Sequence, residues 1–127
     1  MGVAYFLDGS FYAGSFEKGT AEGKGVYIFR DGSYFYGDFS AGKFHGYGRL
    51  ELNSKRGVCV GYFQDNEPCG PCKEFYPDNS HYMGMMERGK KHGFGEYVWG
   101  NAQLKYKGYF QEGSMDGEGL LEDTLSK

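Results

Sequence analysis

The chain has 127 residues, a formal net charge of −3 and 23 glycines. Its basic residues are scattered, with no run longer than Lys90-Lys91, so it lacks the basic patch that nucleic acid or an anionic membrane requires. We expect neither a signal peptide nor a membrane span, because no apolar run is long enough. Three cysteines, an odd number, favour a reducing compartment and predict a cytoplasmic protein.

An internal repeat organises the chain and is first complete over Asp8–Phe29. The start of the chain, Gly2–Asp8, matches the second half of this repeat, Gly25–Asp31. We therefore divide the single domain, residues 1–127, into a half repeat at 1–9 and five repeats at 10–32, 33–56, 57–79, 80–103 and 104–127. The repeats follow one another in steps of 23 or 24 residues, marked by a central glycine at Gly14, Gly37, Gly61, Gly84 and Gly108.

Each unit reads as two β-strands, because large and small residues alternate with period two. In the first full unit, strand A is Tyr12–Phe16 and strand B is Gly25–Phe29. The fold class is therefore all-β: an elongated, twisted, single-layer antiparallel sheet built of stacked β-hairpin repeats. We expect aromatic rings to gather on one face, called the ring face, at Phe6, Tyr12, Phe16, Tyr27, Phe29, Phe35, Phe39, Phe63, Tyr76, Tyr82, Tyr97, Trp99, Tyr106 and Phe110.

The links between units follow from the same alternation, because residues opposite each other in an antiparallel pair share a face. Arg30-Asp31-Gly32 fits a three-residue link whose last position is left-handed, and Leu7-Asp8-Gly9 and Pro77-Asp78-Asn79 occupy the same place. The two 24-residue steps between repeats require links with an even number of residues, which we expect near Asn53–Arg56 and Gly100–Gln103.

These features resemble the MORN repeat (membrane occupation and recognition nexus), whose consensus is YxGxWxxGxxxGxG followed by a strand. GYGRL at Gly46–Leu50 and the pairs His45-Gly46 and His92-Gly93 are typical of it. The resemblance covers the whole chain. It implies a scaffold, dimerisation or targeting module, often at cytoskeletal structures, and the family also occurs beside phosphoinositide kinases.

The string Cys69-Gly70-Pro71-Cys72 resembles the thioredoxin active site, but no helical pattern follows it. We expect it in a hairpin bend, where a labile surface disulfide is the alternative to free thiols. The potential metal ligands recur at one position per repeat, which we expect at the bends. This column consists of Glu22, His45, Cys69, His92 and Asp116. Repeats lie roughly 9–10 Å apart, too far to share a zinc ion. We expect no metal, no cofactor and no catalytic residues, and hence not an enzyme.

The reverse face of the sheet is mixed in the first units and becomes apolar in the third and fourth, interrupted by Lys73 and Glu96. An apolar second face needs a cover, such as another protein or a second copy. The alternative is that local curvature buries it. We assign partner binding to Val60, Tyr62, Phe75, Met83, Met85, Val98, Trp99 and Tyr109.

The sequence thus predicts a non-catalytic protein–protein interaction and scaffolding module that binds a peptide or helix along a groove, with self-association as a further option. Binding of a phosphoinositide headgroup is an alternative that the negative net charge disfavours. A regulatory fragment of a larger enzyme is the second alternative. We expect a cytoplasmic location, with association to cytoskeleton or membrane left open.

Overall fold

A computed structural model describes residues 1–52, 57–100 and 104–123 of the chain, and over these residues it is all-β. The eleven strands are β1 (Gly2–Tyr5), β2 (Phe11–Glu17), β3 (Thr20–Ile28), β4 (Tyr34–Ser40), β5 (Lys43–Leu52), β6 (Gly57–Gln64), β7 (Glu67–Phe75), β8 (His81–Glu87), β9 (Lys90–Val98), β10 (Leu104–Gln111) and β11 (Ser114–Asp123).

The strands form one open antiparallel sheet in chain order, β1 to β11. Each strand contacts chiefly its two neighbours, and β1 and β11 are the sheet edges. The predicted single-layer sheet of stacked hairpins is confirmed, and the described part of the chain contains no helix.

Two-residue turns close the hairpin inside each unit. In the first, Glu17 pairs with Thr20 across Lys18 and Gly19, whose φ angles are 53° and 80°. Two successive positive φ angles define a type I′ turn, whose twist matches that of the flanking strands. The predicted bend was therefore misplaced, since the chain returns to strand at Thr20 and the column expected at the bends lies inside strands.

Three-residue links join successive units as predicted. Phe29 N–H donates to Ser33 O at 2.8 Å across Arg30-Asp31-Gly32, and Gly32 has a φ of 92°. The corresponding link at Pro77-Asp78-Asn79 places Asn79 at a φ of 72°. At the longer links, Leu52 pairs with Gly57 and Trp99 N–H donates to Leu104 O, which leaves four residues between each pair. Positions 53–56 and 101–103 themselves lie outside the described residues.

The ring face is the core. Of the fourteen predicted rings, thirteen lie in or against the buried cluster, while Phe6 stays 46% exposed and stacks on Tyr27 at 5.8 Å between ring centroids. The prediction missed further members of the same cluster, which include Phe44, Cys59, Cys72 and Met86.

Glycine permits the rings to lie flat across the facing strand. A Cβ added to Gly25 would lie 2.3 Å from Tyr12 Oη, and one added to Gly95 would lie 2.3 Å from Tyr82 Oη. Rings of successive units then contact each other, as Tyr12 contacts Phe39 with centroids 4.7 Å apart. The units are therefore fastened together on this face by edge-to-face ring packing.

Each hairpin also contains a register shift just after its central glycine, a β-bulge that leaves one carbonyl outside the ladder. In the first, fourth and fifth units, a tyrosine hydroxyl of the same strand donates to this carbonyl. Tyr12 Oη donates to Ser15 O and Tyr82 Oη donates to Met85 O, each at 2.8 Å. The hydroxyl that anchors the ring thus also satisfies the bulge, and the side chain of the bulge residue is directed to the reverse face.

Candidate interaction surface

Three cross-strand pairs of apolar side chains follow one another across the reverse face from β5 to β10. Two of the pairs are aromatic: Tyr47 with Tyr62 and Phe94 with Tyr109, both edge-to-face with centroids 5.4 Å apart. Every member is exposed. We call this row the apolar stripe; it consists of Tyr47, Tyr62, Pro71, Met85, Phe94 and Tyr109.

Seven of the eight predicted partner-binding residues lie on this face. Tyr62, Met85 and Tyr109 belong to the stripe itself. Val60 and Met83 lie in the adjacent row, on either side of Lys73. In the row beyond, Phe75 and Val98 each pair with His81 from opposite sides.

Trp99 is separated from the other seven. It packs on the ring face against the buried cluster, with its ring 5.0 Å from that of Tyr97. There it lines a groove of about 440 Å³ together with Lys91, Phe110 and Met115. Its position agrees with its place among the predicted core rings and separates it from the apolar stripe.

Sequence reasoning missed Tyr47, Phe94 and Pro71, half of the stripe. It placed the glycine-rich segment in a bend, whereas the type I′ turn is shorter and strand B begins earlier. The pairs Ala41-Gly42 and Arg88-Gly89, with φ angles of 51° to 81°, mark where the chain turns. Counting alternation from those turns would have placed Tyr47 and Phe94 on the reverse face.

The alternative that curvature buries the reverse face is wrong. The sheet hides Phe35 and Tyr82 completely on the ring face, but Tyr62 is 48% exposed and Met85 is 41% exposed. Eight large apolar side chains of this face are 41% to 61% exposed, and together they present roughly 600–1,000 Å². That area is at or above the largest apolar patch of a typical monomer, about 300–600 Å². The eight are Tyr36, Tyr47, Tyr62, Phe75, Met83, Met85, Phe94 and Tyr109.

Charged side chains flank the stripe on one side. The adjacent row contains three cations and one carboxylate: Arg49, Lys73, Lys107 and Glu96. Lys107 Nζ lies 3.7 Å from Glu96 Oε2, and Arg49 Nη2 lies 3.1 Å from a carboxylate oxygen in the third row. Lys73 makes no ion pair within the described ranges, so the positive charge nearest the centre of the stripe is not compensated.

The cysteine motif lies inside β7 rather than in a bend, which corrects its predicted location. Cys72 is buried in the ring-face cluster, while Cys69 Sγ lies 3.6 Å from Gln64 Oε1. Residues three apart in a strand are separated by about 10 Å, beyond the reach of a disulfide, so the alternative of a Cys69–Cys72 bond is wrong. Both are free thiols, as is Cys59.

The thiols of Cys59 and Cys72, both buried in the ring-face cluster, have opposite shifts in acidity. The interaction with Cys59 lowers the pKa of Cys72, while the same interaction and burial raise the pKa of Cys59. Cys72 also lies 3.3 Å from Tyr62 O, as a donor to that carbonyl. Both thiols therefore lie inside the core of a sheet. A thioredoxin site differs, because there a strand leads to the first cysteine and a helix begins at it.

One ion pair lies on the ring face, between Lys91 and Glu74 at 3.7 Å. Lys91 Nζ also lies 5.2 Å from the ring centroid of Tyr76, whose hydroxyl donates to Glu74 at 2.5 Å. Burial and the neighbouring carboxylate raise the pKa of Tyr76. These groups satisfy one another, so we assign them a structural role. Over the residues that the structure describes, no group of three or more His, Cys, Asp and Glu side chains could hold a metal ion.

Comparison with protein families identifies the repeat. The family model of the MORN repeat matches five times, at residues 12–34, 35–54, 59–81, 82–102 and 106–123. The chain is a MORN-repeat protein. The predicted resemblance is confirmed, and MORN repeats are in general modules that interact with proteins or membranes and are typically non-catalytic. No curated protein matches this MORN-repeat chain. Across its described residues, no helix is long and apolar enough to cross a membrane.

Proposed function

We propose that this MORN-repeat array is a non-catalytic interaction and scaffolding module that binds another protein through its reverse face. The observation that carries the proposal is the exposed apolar surface of β4–β10, whose large side chains are 41% to 61% exposed. Burying such a surface stabilises a complex by about 25 cal/mol per Å² before the costs of association. We place this activity in the cytoplasm.

Hydrogen bonds from the ring face hold the backbone of three exposed residues, which favours binding. Tyr62, Met85 and Tyr109 follow directly after the central glycines, and a ring-face donor holds each of their carbonyl oxygens. Their backbone is therefore fixed before any partner arrives, and little conformational freedom is lost on binding.

Affinity capture from a cell extract tests this function when a site-specific readout accompanies it. A photo-crosslinking amino acid at position 62 should yield a discrete protein adduct. Substituting Met83→Asp and Met85→Asp should abolish that adduct. The matched control is Val3→Asp with Tyr5→Asp, which places the same two charges, also two residues apart, on exposed apolar side chains of β1 on the same face, three strands before β4.

Two other results have defined meanings. A crosslink only to a second copy, together with a dimer mass in sedimentation, assigns the surface to self-association. Flotation with phosphoinositide-containing vesicles at low salt, with no protein adduct, contradicts protein binding and supports headgroup binding. All variants are first checked for an unchanged β-sheet circular dichroism spectrum.

A further inference from the structure

The apolar stripe has a definite direction and length. It crosses six strands at right angles, one residue from each of β5 to β10. With strands about 4.8 Å apart, its five intervals span roughly 24 Å. A partner segment that covers it must therefore lie along the array axis, perpendicular to every strand beneath it.

An extended peptide does not suit this position. The backbone N–H and C=O groups of β5–β10 are used in ladders on both sides, so the face presents side chains only. A peptide lying across it would find no backbone partners and would leave its own groups unpaired where the interface is dry. An α-helix satisfies its backbone internally and needs only an apolar face.

The repeat spacing also fits a helix. One unit is two strands, about 9.6 Å, and seven helical residues rise about 10.5 Å. A helix of about 16 residues covers the stripe, and its apolar side chains recur nearly in step with the units. The short Pro71 opposite Met85 leaves a lower step between the aromatic pairs Tyr47–Tyr62 and Phe94–Tyr109, where a helical Leu or Met side chain can insert.

The charges beside the stripe indicate which type of side chain the bound helix carries on each flank. On one side lie Arg49, Lys73 and Lys107 with a single carboxylate. The row on the other side, toward the hairpin turns, has Glu87 as its carboxylate and no Lys or Arg; it consists of His45, Gln64, Cys69, Glu87, His92 and Gln111. Lys73 stands next to the centre of the stripe and has no ion-pair partner among the described residues. An acidic residue on the helix would compensate it.

We propose that the apolar stripe binds an amphipathic α-helix of a different protein, laid along the array axis, with acidic side chains on the flank that faces Lys73 and Lys107. This inference rests on the proposed function and specifies its partner. The described residues of this chain form no helix, so those of a second copy would not supply one. The exposed apolar side chains of the reverse face, to which the stripe belongs, present roughly 600–1,000 Å², comparable to the 800 Å² per partner of a standard interface.

Three synthetic 18-residue peptides test the proposal against the full chain by fluorescence anisotropy. All carry Leu at heptad a and d positions; one has Glu along one flank, one has Lys there, and the third is the Glu peptide with two central Pro residues. We expect the Glu peptide to bind, the Lys peptide to bind at least about tenfold more weakly at low salt, and the Pro peptide not to bind.

Variants of the chain locate the contact. Lys73→Glu with Lys107→Glu should reverse the order of the Glu and Lys peptides, whereas Lys18→Glu with Lys43→Glu, at an exposed turn and an exposed strand end, should leave it unchanged. Tyr62→Ser with Met85→Ser should weaken both peptides at least about tenfold. The salt dependence of the Glu peptide should decrease in the Lys73→Glu variant.

Equal binding of the Glu and Lys peptides, binding of the Pro peptide, or no binding of any helical peptide up to about 1 mM overturns the helix assignment. The proposed function fails separately, when capture through position 62 yields no protein adduct. An adduct that maps to an extended segment of the captured protein keeps the function and removes the helix.

Discussion

The thiol of Cys72 donates a hydrogen bond to the carbonyl oxygen of Tyr62 at 3.3 Å, where the first, fourth and fifth units use a tyrosine hydroxyl. Tyr12, Tyr82 and Tyr106 donate to the equivalent bulge carbonyls at 2.8 to 3.1 Å. In the third unit, Cys59 replaces the ring and Cys72 replaces the glycine that the ring would cover. Two thiols thus fill the space of one ring and preserve the bulge bond beneath the stripe residue Tyr62.

This substitution predicts strong coupling between the two cysteine positions. Cys59→Tyr alone should destabilise by about 2 kcal/mol, because the new ring overlaps the Cys72 side chain. Cys72→Gly alone should cost about 1–3 kcal/mol, since it leaves a void and an unpaired carbonyl. The double variant restores the pattern of the other units, and its free energy of unfolding in urea should approach that of the wild type. Additive effects would contradict the shared role.

Gly95 lies under the ring of Tyr82, so Gly95→Ala should be far more costly than a glycine substitution that only strains the backbone. The added Cβ would lie 2.3 Å from Tyr82 Oη, and we expect a loss of about 3 kcal/mol. Gly89→Ala in the same hairpin is the matched control, with a φ of 80° and its nearest contact at 3.9 Å, and should cost about 1 kcal/mol. Tyr82→Leu should relieve most of the Gly95→Ala defect; if it does not, ring contact is not the cause.

Ala41 occupies the first central position of a type I′ turn with a φ of 51°, which an alanine adopts at a cost. Ala41→Asn should therefore raise the free energy of unfolding by about 0.5–1 kcal/mol. The backbone N–H of Ala41, which donates to Glu22 Oε2 at 3.1 Å, is unchanged by the substitution. The midpoint of urea denaturation should increase with an unchanged slope, and Ala41→Val should lower it.

Alkaline pH should weaken the fold through Tyr82. Burial raises the pKa of Tyr82 to about 12, against an ordinary value near 10. Its contribution is therefore complete below pH 10 and is lost as pH rises through 12, up to about 3 kcal/mol. Tyr82→Phe should lower stability at neutral pH but show a smaller further loss between pH 10 and 12. Denaturation midpoints across this range, with absorbance at 295 nm to follow tyrosine ionisation, measure the difference; parallel curves would contradict the assignment.

Much of the fold could be predicted from the sequence, because the alternation of large and small residues directly gives the two-residue period of a strand. Tyr12 and Gly25, or Tyr82 and Gly95, fall on one face by counting alone. The exact turn positions could not, since Lys18, Ala41 and Arg88 adopt left-handed angles that their residue types disfavour. That error of a few residues concealed Tyr47 and Phe94. The partner-binding role of the predicted surface residues stays a prediction.

The sequence by itself determined the repeat, the single antiparallel layer and the face on which the rings collect, because each depends on spacing that a strand converts directly into geometry. Only the tertiary structure decided where the hairpins turn, which thiols meet, and that Tyr47 and Phe94 join Tyr62, Met85 and Tyr109 in one exposed row. Those relationships depend on strand register and on contacts between units two dozen residues apart, which no local pattern specifies.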